Sequence, residues 1–256
     1  MILIDTHCHL YASEFDADRE AVIQRALAAG VERFYLPAID SGHTGGQFRL
    51  EEQYPGQCRS MAGLHPCSVK ESWREELKVV EELLGRRSFA AIGEIGLDFY
   101  WDKSFTLEQY DAFETQIGWA RALGLPVIIH SRESMTESIA VVKKNSGDGL
   151  SGIFHCFSGS IEQAREVVDM GFYLGIGGVV TYKKAILQDV VRTMGLDCMV
   201  LETDAPYLSP LPFRGRRNES SYLLYILEKI AEIKGVSTEE VARVTTENAE
   251  RVFRGR

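Results

Sequence analysis

Short apolar runs alternate with longer amphipathic stretches along the whole chain. Ile2–Asp5 precedes a helical pattern from about Ala17 to Ala29, which Gly30 stops. Arg33–Pro37 precedes another that runs through Gln53, and Cys58–Leu64 precedes Val69–Leu84. Phe89–Glu94 leads into Thr106–Leu123, closed by Gly124, and Pro126–His130 leads into Glu133–Lys144. Leu150–His155 leads into Ile161–Met170, closed by Gly171, and Phe172–Ile176 leads into Tyr182–Thr193. Cys198–Asp204 is the last apolar run, followed by helical patterns over Ser220–Lys234 and Thr238–Arg251. Repetition of buried strand, helix and a Gly or Pro stop predicts βα units with parallel strands. Eight such units in 256 residues match a closed (β/α)8 TIM barrel of the α/β class. An open doubly wound sheet fits the alternation less well, because no G-x-G-x-x-G follows the first strand. Without a Pro/Ser-rich linker or low-complexity segment, residues 1–256 read as one barrel domain.

Composition narrows the class. The chain is 45% hydrophobic and 25% charged, which excludes a disordered chain or a collagen-like fibre. The five cysteines (Cys8, Cys58, Cys67, Cys156 and Cys198) form no C-x-x-C pair, so reduced thiols in a cytoplasmic protein are expected. Asp5 and His7 interrupt the N-terminus before a signal-type apolar run develops, and no stretch approaches the ~20 apolar residues of a membrane span. A net charge of −9 argues against a broad basic face gripping long duplex DNA, and the sequence shows no aromatic platform for stacked bases. Nothing calls for an obligate protein partner, and a mean hydropathy of −0.11 fits a monomer.

The histidines carry the chemistry. Of the six, His7, His9, His65, His130 and His155 fall at or just beyond the C-terminal end of an apolar run, and only His43 does not. In a barrel those ends form the face on which active sites are built. In an extended His7-Cys8-His9 both imidazoles point one way, toward one metal, while Cys8 points away into packing. Glu94, at the expected end of strand four, can bridge two cations with one oxygen each. His130 and His155 end adjacent strands and reach a second cation. Asp204, at the end of strand eight, completes the His7/His9 site and takes a proton during catalysis. Glu202 is placed to bond a ligand imidazole from behind, or else to pair as a buried acid. Four imidazoles and two carboxylates suit Zn²⁺, Mn²⁺, Co²⁺ or Ni²⁺ better than Mg²⁺, and two such cations roughly 3.5–4 Å apart support hydrolysis.

These residues sit in seven motifs: IDTHCHL (Ile4–Leu10), GLHP (Gly63–Pro66), GEIGLD (Gly93–Asp98), PVIIHSRE (Pro126–Glu133), HCFSG (His155–Gly159), LETDAPYL (Leu201–Leu208) and RGRRNE (Arg214–Glu219). In that order and spacing the chain resembles the TatD family of metal-dependent deoxyribonucleases, from Ile2 to about Phe253. The resemblance implies one metal on His7, His9, Glu94 and Asp204, and a second on Glu94, His130 and His155. It makes Asp204 and Glu94 the catalytic carboxylates, with His65, Arg132 and Arg214 as phosphate or substrate contacts. Tyr11, Cys67, Ser134, Thr136 and Ser220 depart from the family pattern, which puts substrate preference rather than hydrolysis in question. The implied activity is cleavage of DNA phosphodiester bonds, favouring short or single-stranded ends. The alternatives are an aminoacyl-tRNA ester deacylase, an amide or lactone hydrolase, or a non-catalytic metal-binding barrel.

Overall fold

The apolar runs become eight parallel strands, each followed by helix, in a computed structural model that describes residues 1–147 and 149–253. The strands are β1 (Leu3–Asp5), β2 (Val31–Leu36), β3 (Cys58–Ser60), β4 (Ile92–Asp98), β5 (Val127–Arg132), β6 (Gly152–Phe154), β7 (Phe172–Ile176) and β8 (Met199–Leu201). The α-helices are α1 (Arg19–Ala28), α2 (Thr44–Gln53), α3 (Trp73–Leu84), α4 (Thr106–Leu123), α5 (Met135–Lys144), α6 (Ile161–Asp169) and α7 (Ile186–Thr193), with α8 (Leu223–Lys234) and α9 (Thr238–Val252) after β8. Gly124 ends α4 in the left-handed conformation (φ 61°), the helix stop that glycine favours.

Regular ladders join β1-β2-β3 and β4-β5-β6-β7-β8. A few backbone bonds cross each of the two seams between them. The Gly93 amide donates to the Ala62 carbonyl (2.8 Å), linking the β3 and β4 sides. The Thr6 amide donates to Leu201 O (3.1 Å) and the Asp204 amide to His7 O (2.9 Å), linking the ends of the chain. The fold is a (β/α)8 barrel.

Strand residues alternate between two layers of the core. Leu3, Phe34, Ile129, Phe154 and Leu201 pack with the helices. Ile4, Ile128, Ile153 and Val200 belong to a smaller cluster inside the barrel, which Ala249 and Val252 of α9 and the following Phe253 plug at its lower end. A two-residue step from Ile128 and Ile153 reaches His130 and His155, and steps from Val200 reach Glu202 and Asp204. The period that fills the barrel with aliphatic side chains therefore brings polar ones to its upper mouth.

β4 departs from its expected limits. Glu94 does not end the strand but is its third residue, and the strand runs on to Asp98. Two glycines explain the difference, since they read as loop in sequence yet permit contact with β5. A Cβ on Gly93 would lie 2.6 Å from Ile128 Cβ, and one on Gly96 would lie 2.0 Å from the His130 carbonyl oxygen. Glu94 is thereby lowered into the barrel mouth, with 3% of its surface exposed. Among the described residues no helix is long and apolar enough to cross a membrane.

Candidate metal centre

Glu94 divides the site in two. Its Oε2 faces His7 Nε2 (3.1 Å) and His9 Nε2 (3.8 Å), while its Oε1 faces His130 Nδ1 (2.8 Å), His65 Nε2 (3.4 Å) and His155 Nε2 (3.8 Å). Asp204 Oδ1 lies 3.5 Å from His9, 3.6 Å from His155 and 3.7 Å from His7. His155 therefore stands between the halves, and its ring stacks on that of His7 with centroids 3.4 Å apart. Donor groups able to meet one ion include His7/His9/Glu94, His7/His155/Asp204 and His65/Glu94/His130.

Hydrogen bonds behind the rings fix which nitrogen is free. The Tyr11 hydroxyl donates to Pro37 O (2.6 Å), so it accepts from His9 Nδ1 (2.9 Å). That leaves the lone pair of His9 on Nε2, aimed at both carboxylates. His155 Nδ1 faces Glu202 Oε2 at 3.1 Å but is not aligned for a hydrogen bond, and Glu202 is held by the Cys156 amide (2.6 Å). His130 Nε2 meets Asp98 Oδ2 at 2.9 Å, leaving Nδ1 toward Glu94. His65 is the exception. Its Nδ1 accepts from the Cys67 amide (3.0 Å), so the neutral ring carries its proton on Nε2 and presents a donor to the site. Cys8 packs in the core, away from the site.

The electrostatics follow from this crowding. Burial, with His155 alongside, lowers His7 to about 4, so it is a neutral imidazole. Its Nε2 is close to Glu94 but not aligned for a hydrogen bond, and neither ring nitrogen has a partner among the described residues. A buried polar atom left in that state is costly, and an unsatisfied imidazole lone pair among carboxylates is what a divalent cation satisfies. Burial works against charge on Glu94 and Asp204 too, but the surrounding histidines outweigh it and hold both carboxyls below the usual range. His130 is pulled down by burial, yet its bonds to Asp98 and Glu94 carry it up to about 9. The donor set fits divalent metal.

The rim above the centre changes the expectation for aromatic residues. Only three aromatic side chains are exposed among the described residues, Tyr100 (49%), Trp101 (68%) and Tyr207 (49%). All three follow strand ends on the site's side of the barrel. The Arg132 guanidinium lies 3.8 Å from the Tyr100 ring centroid and 5.1 Å from that of Trp101. Exposed aromatic rings thus stand beside a guanidinium at the mouth, where the sequence reading expects no aromatic platform. Phe99–Tyr100–Trp101 directly follows the GEIGLD motif, and that adjacency is the one signal of it in the sequence. Arg214 instead stacks on Tyr182 (4.6 Å) and pairs with no carboxylate of the centre among the described residues. Asp98 and Tyr11, to which the motifs alone assign no role, orient His130 and His9.

Comparison with known proteins agrees with the motifs. Residues 4–254 match the family described as TatD related DNase. This chain belongs to the TatD family. An uncharacterized metal-dependent hydrolase of Bacillus subtilis, YabD, is 42% identical over 99% of both chains. A TatD protein of Citrobacter rodentium, named a 3'-5' ssDNA/RNA exonuclease, is 34% identical over 98% of this chain and 97% of its own. The crystal structure of the TatD homologue YjjV from Escherichia coli superposes with a TM-score of 0.92, at 31% identity, over 98% of this chain and 97% of that one.

Proposed function

We propose that this TatD-family chain is a divalent-metal-dependent hydrolase that cleaves phosphodiester bonds at short or single-stranded DNA ends. One observation carries the reading: the two oxygens of a buried Glu94 face two separate sets of imidazoles. His7, His9 and Asp204 with Oε2 would hold one cation, and His130 and His155 with Oε1 a second. When bound, a cation pair supplies Lewis acidity toward phosphodiester oxygens and lowers the pKa of water. Zn²⁺, Mn²⁺, Co²⁺ and Ni²⁺ suit this mixed N/O set better than Mg²⁺.

The remaining roles belong to the protein's own groups. Asp204, held as a carboxylate, accepts a proton. Tyr11 and Asp98 orient His9 and His130 through hydrogen bonds, and the Glu202 carboxylate lies behind His155 Nδ1. His65 cannot offer that lone pair while its Nδ1 takes the Cys67 amide, so it acts as a donor to a phosphate oxygen. Arg132 contributes charge at the mouth, and Arg214 extends the substrate contacts toward β7. A centre that brings its own positive charge reconciles an acidic protein with an anionic substrate.

The test is a panel run with protein reconstituted in each metal. Substrates are single-stranded DNA with a free 3′ end, circular single-stranded DNA, RNA, aminoacyl-tRNA and simple lactones. We expect hydrolysis of the linear strand with little attack on the circle. Turnover confined to aminoacyl-tRNA or lactones would overturn the phosphodiester reading while leaving the metal centre intact.

A further inference from the structure

The rim carries more than charge. We propose that Tyr100, Trp101 and Arg132 form a stacking subsite for an unpaired nucleobase beside the scissile phosphate, an inference that rests on the phosphodiesterase reading above. Three observations support it together. The first is placement. Tyr100 and Trp101 are two of the three exposed aromatic side chains among the described residues, and the hydrophobic effect offers no reason to leave such large rings in water. Both stand where β4 ends, on the mouth of the barrel.

The second is rigid attachment to the centre. The amides of Tyr100 and Trp101 donate to Asp98 Oδ1 (3.0 and 3.1 Å). The other oxygen of Asp98 meets His130 Nε2, and His130 Nδ1 meets Glu94 Oε1. A single carboxylate thus fixes both the backbone under the aromatic rings and the orientation of an imidazole of the centre. The Phe99 amide adds a bond to the Arg132 carbonyl (2.9 Å), tying this loop to β5.

The third is the pairing of a cation with aromatic faces. Arg132 lies one strand step beyond His130, opposite Asp98 in the β4–β5 ladder. Its guanidinium rests on Tyr100 and has no carboxylate within ion-pair distance among the described residues. Trp101 meets Tyr100 edge-on, with centroids 4.9 Å apart and planes at 84°. An uncompensated guanidinium attracts a phosphate, and neighbouring ring faces accept a base, so the group matches one nucleotide with its base unpaired. A base within a duplex has no free face to offer, which selects a frayed or single-stranded end.

The experiment uses Mn²⁺-loaded protein and fluorescein-labelled ten-residue oligothymidylate with phosphorothioate linkages, which slow cleavage during the measurement. A matched oligonucleotide carries abasic spacers at its last three 3′ positions. Anisotropy titrations should show the base-bearing strand bound about ten-fold tighter than the abasic one. Trp101→Ala should remove most of that difference without weakening the abasic strand, and Trp101→Phe should restore it. Because Trp101 is exposed, an unchanged melting temperature should accompany the substitution. Equal losses on both strands, or no loss on either, would overturn the subsite. Base-dependent binding without any DNA hydrolysis would leave the subsite standing and refute the phosphodiesterase reading. Hydrolysis with no base-dependent effect of Trp101→Ala would do the reverse.

Discussion

The two halves of the centre are built differently. The side chains of His7 and His9 are at most 5% exposed, with Asp204 at 12% toward the mouth, and the supports are internal: Tyr11 holds His9, and Thr203 holds Asp5 beneath the β1–β8 seam through its amide (2.9 Å) and hydroxyl (2.6 Å). Around His65 and His130 the site opens, with side chains 14% and 17% exposed, and its supports, Asp98 and the Cys67 amide, adjoin loops that face solvent. On the two-cation reading proposed above, the deeper half would hold an ion firmly and the more open half would let a substrate approach one.

Glu94→Ala removes the group shared by both halves and carries the largest expected effect: stoichiometric metal uptake and hydrolysis should both be lost, as read by metal analysis and turnover on single-stranded DNA. Near wild-type turnover would show that the halves do not work as a pair. Tyr11→Phe touches the deep half alone. It takes away the acceptor that fixes His9, and should weaken metal affinity by about 10–100-fold in a competition titration, with little change in KM. A KM effect of equal size would move Tyr11 toward the substrate.

The open half answers to pH. In metal-free protein His130 rises from an ordinary 6.5 to about 9. Its contribution to stability is therefore complete below pH 6.5 and is lost as pH climbs through 9. The melting temperature of the metal-free protein should accordingly fall across that window by a few degrees, and Asp98→Asn should flatten the fall. An unaltered slope in the variant would mean that Asp98 does not hold His130. Cys67→Ala is the smallest change. Cys67 bonds His65 through its backbone amide and not its side chain, so stability should shift by no more than about 0.5 kcal/mol and turnover should stay unchanged.

Much of this architecture is legible in the order of residues alone. β7 and α4 run over the residues that periodicity marks, Phe172–Ile176 and Thr106–Leu123, because each has a clear pattern and a glycine at its boundary. β4 outruns its apolar pattern because its glycines serve contact with β5 rather than a turn. The gathering of His130, His155, Glu202 and Asp204 at one end follows from strand alternation, which sequence displays directly, whereas β1 and β4 carry register shifts before His7 and at Glu94. Their division between the two oxygens of Glu94 does not, since it depends on how a side chain sits across the barrel. The exposure of Tyr100 and Trp101 is equally hidden, because an aromatic pair after an apolar strand reads as packing until the fold leaves it uncovered. The departures at Ser134 and Thr136 are local hydrogen bonds, to Leu97 O (2.7 Å) and from Gln163 (3.1 Å). Ser220 lies buried near Asp5, whose carboxyl burial pushes up to about 7, and the serine hydroxyl makes no hydrogen bond among the described residues.

The seam between β1 and β8 has a further consequence for the life of the chain. Thr6 and Leu201, which it joins, are 195 positions apart. On the ribosome, the first histidines emerge while the aspartate that faces them has yet to be translated. A polypeptide not yet extended through β8 thus lacks Asp204, and the ligand set around His7 and His9 closes only when the two ends of the chain meet.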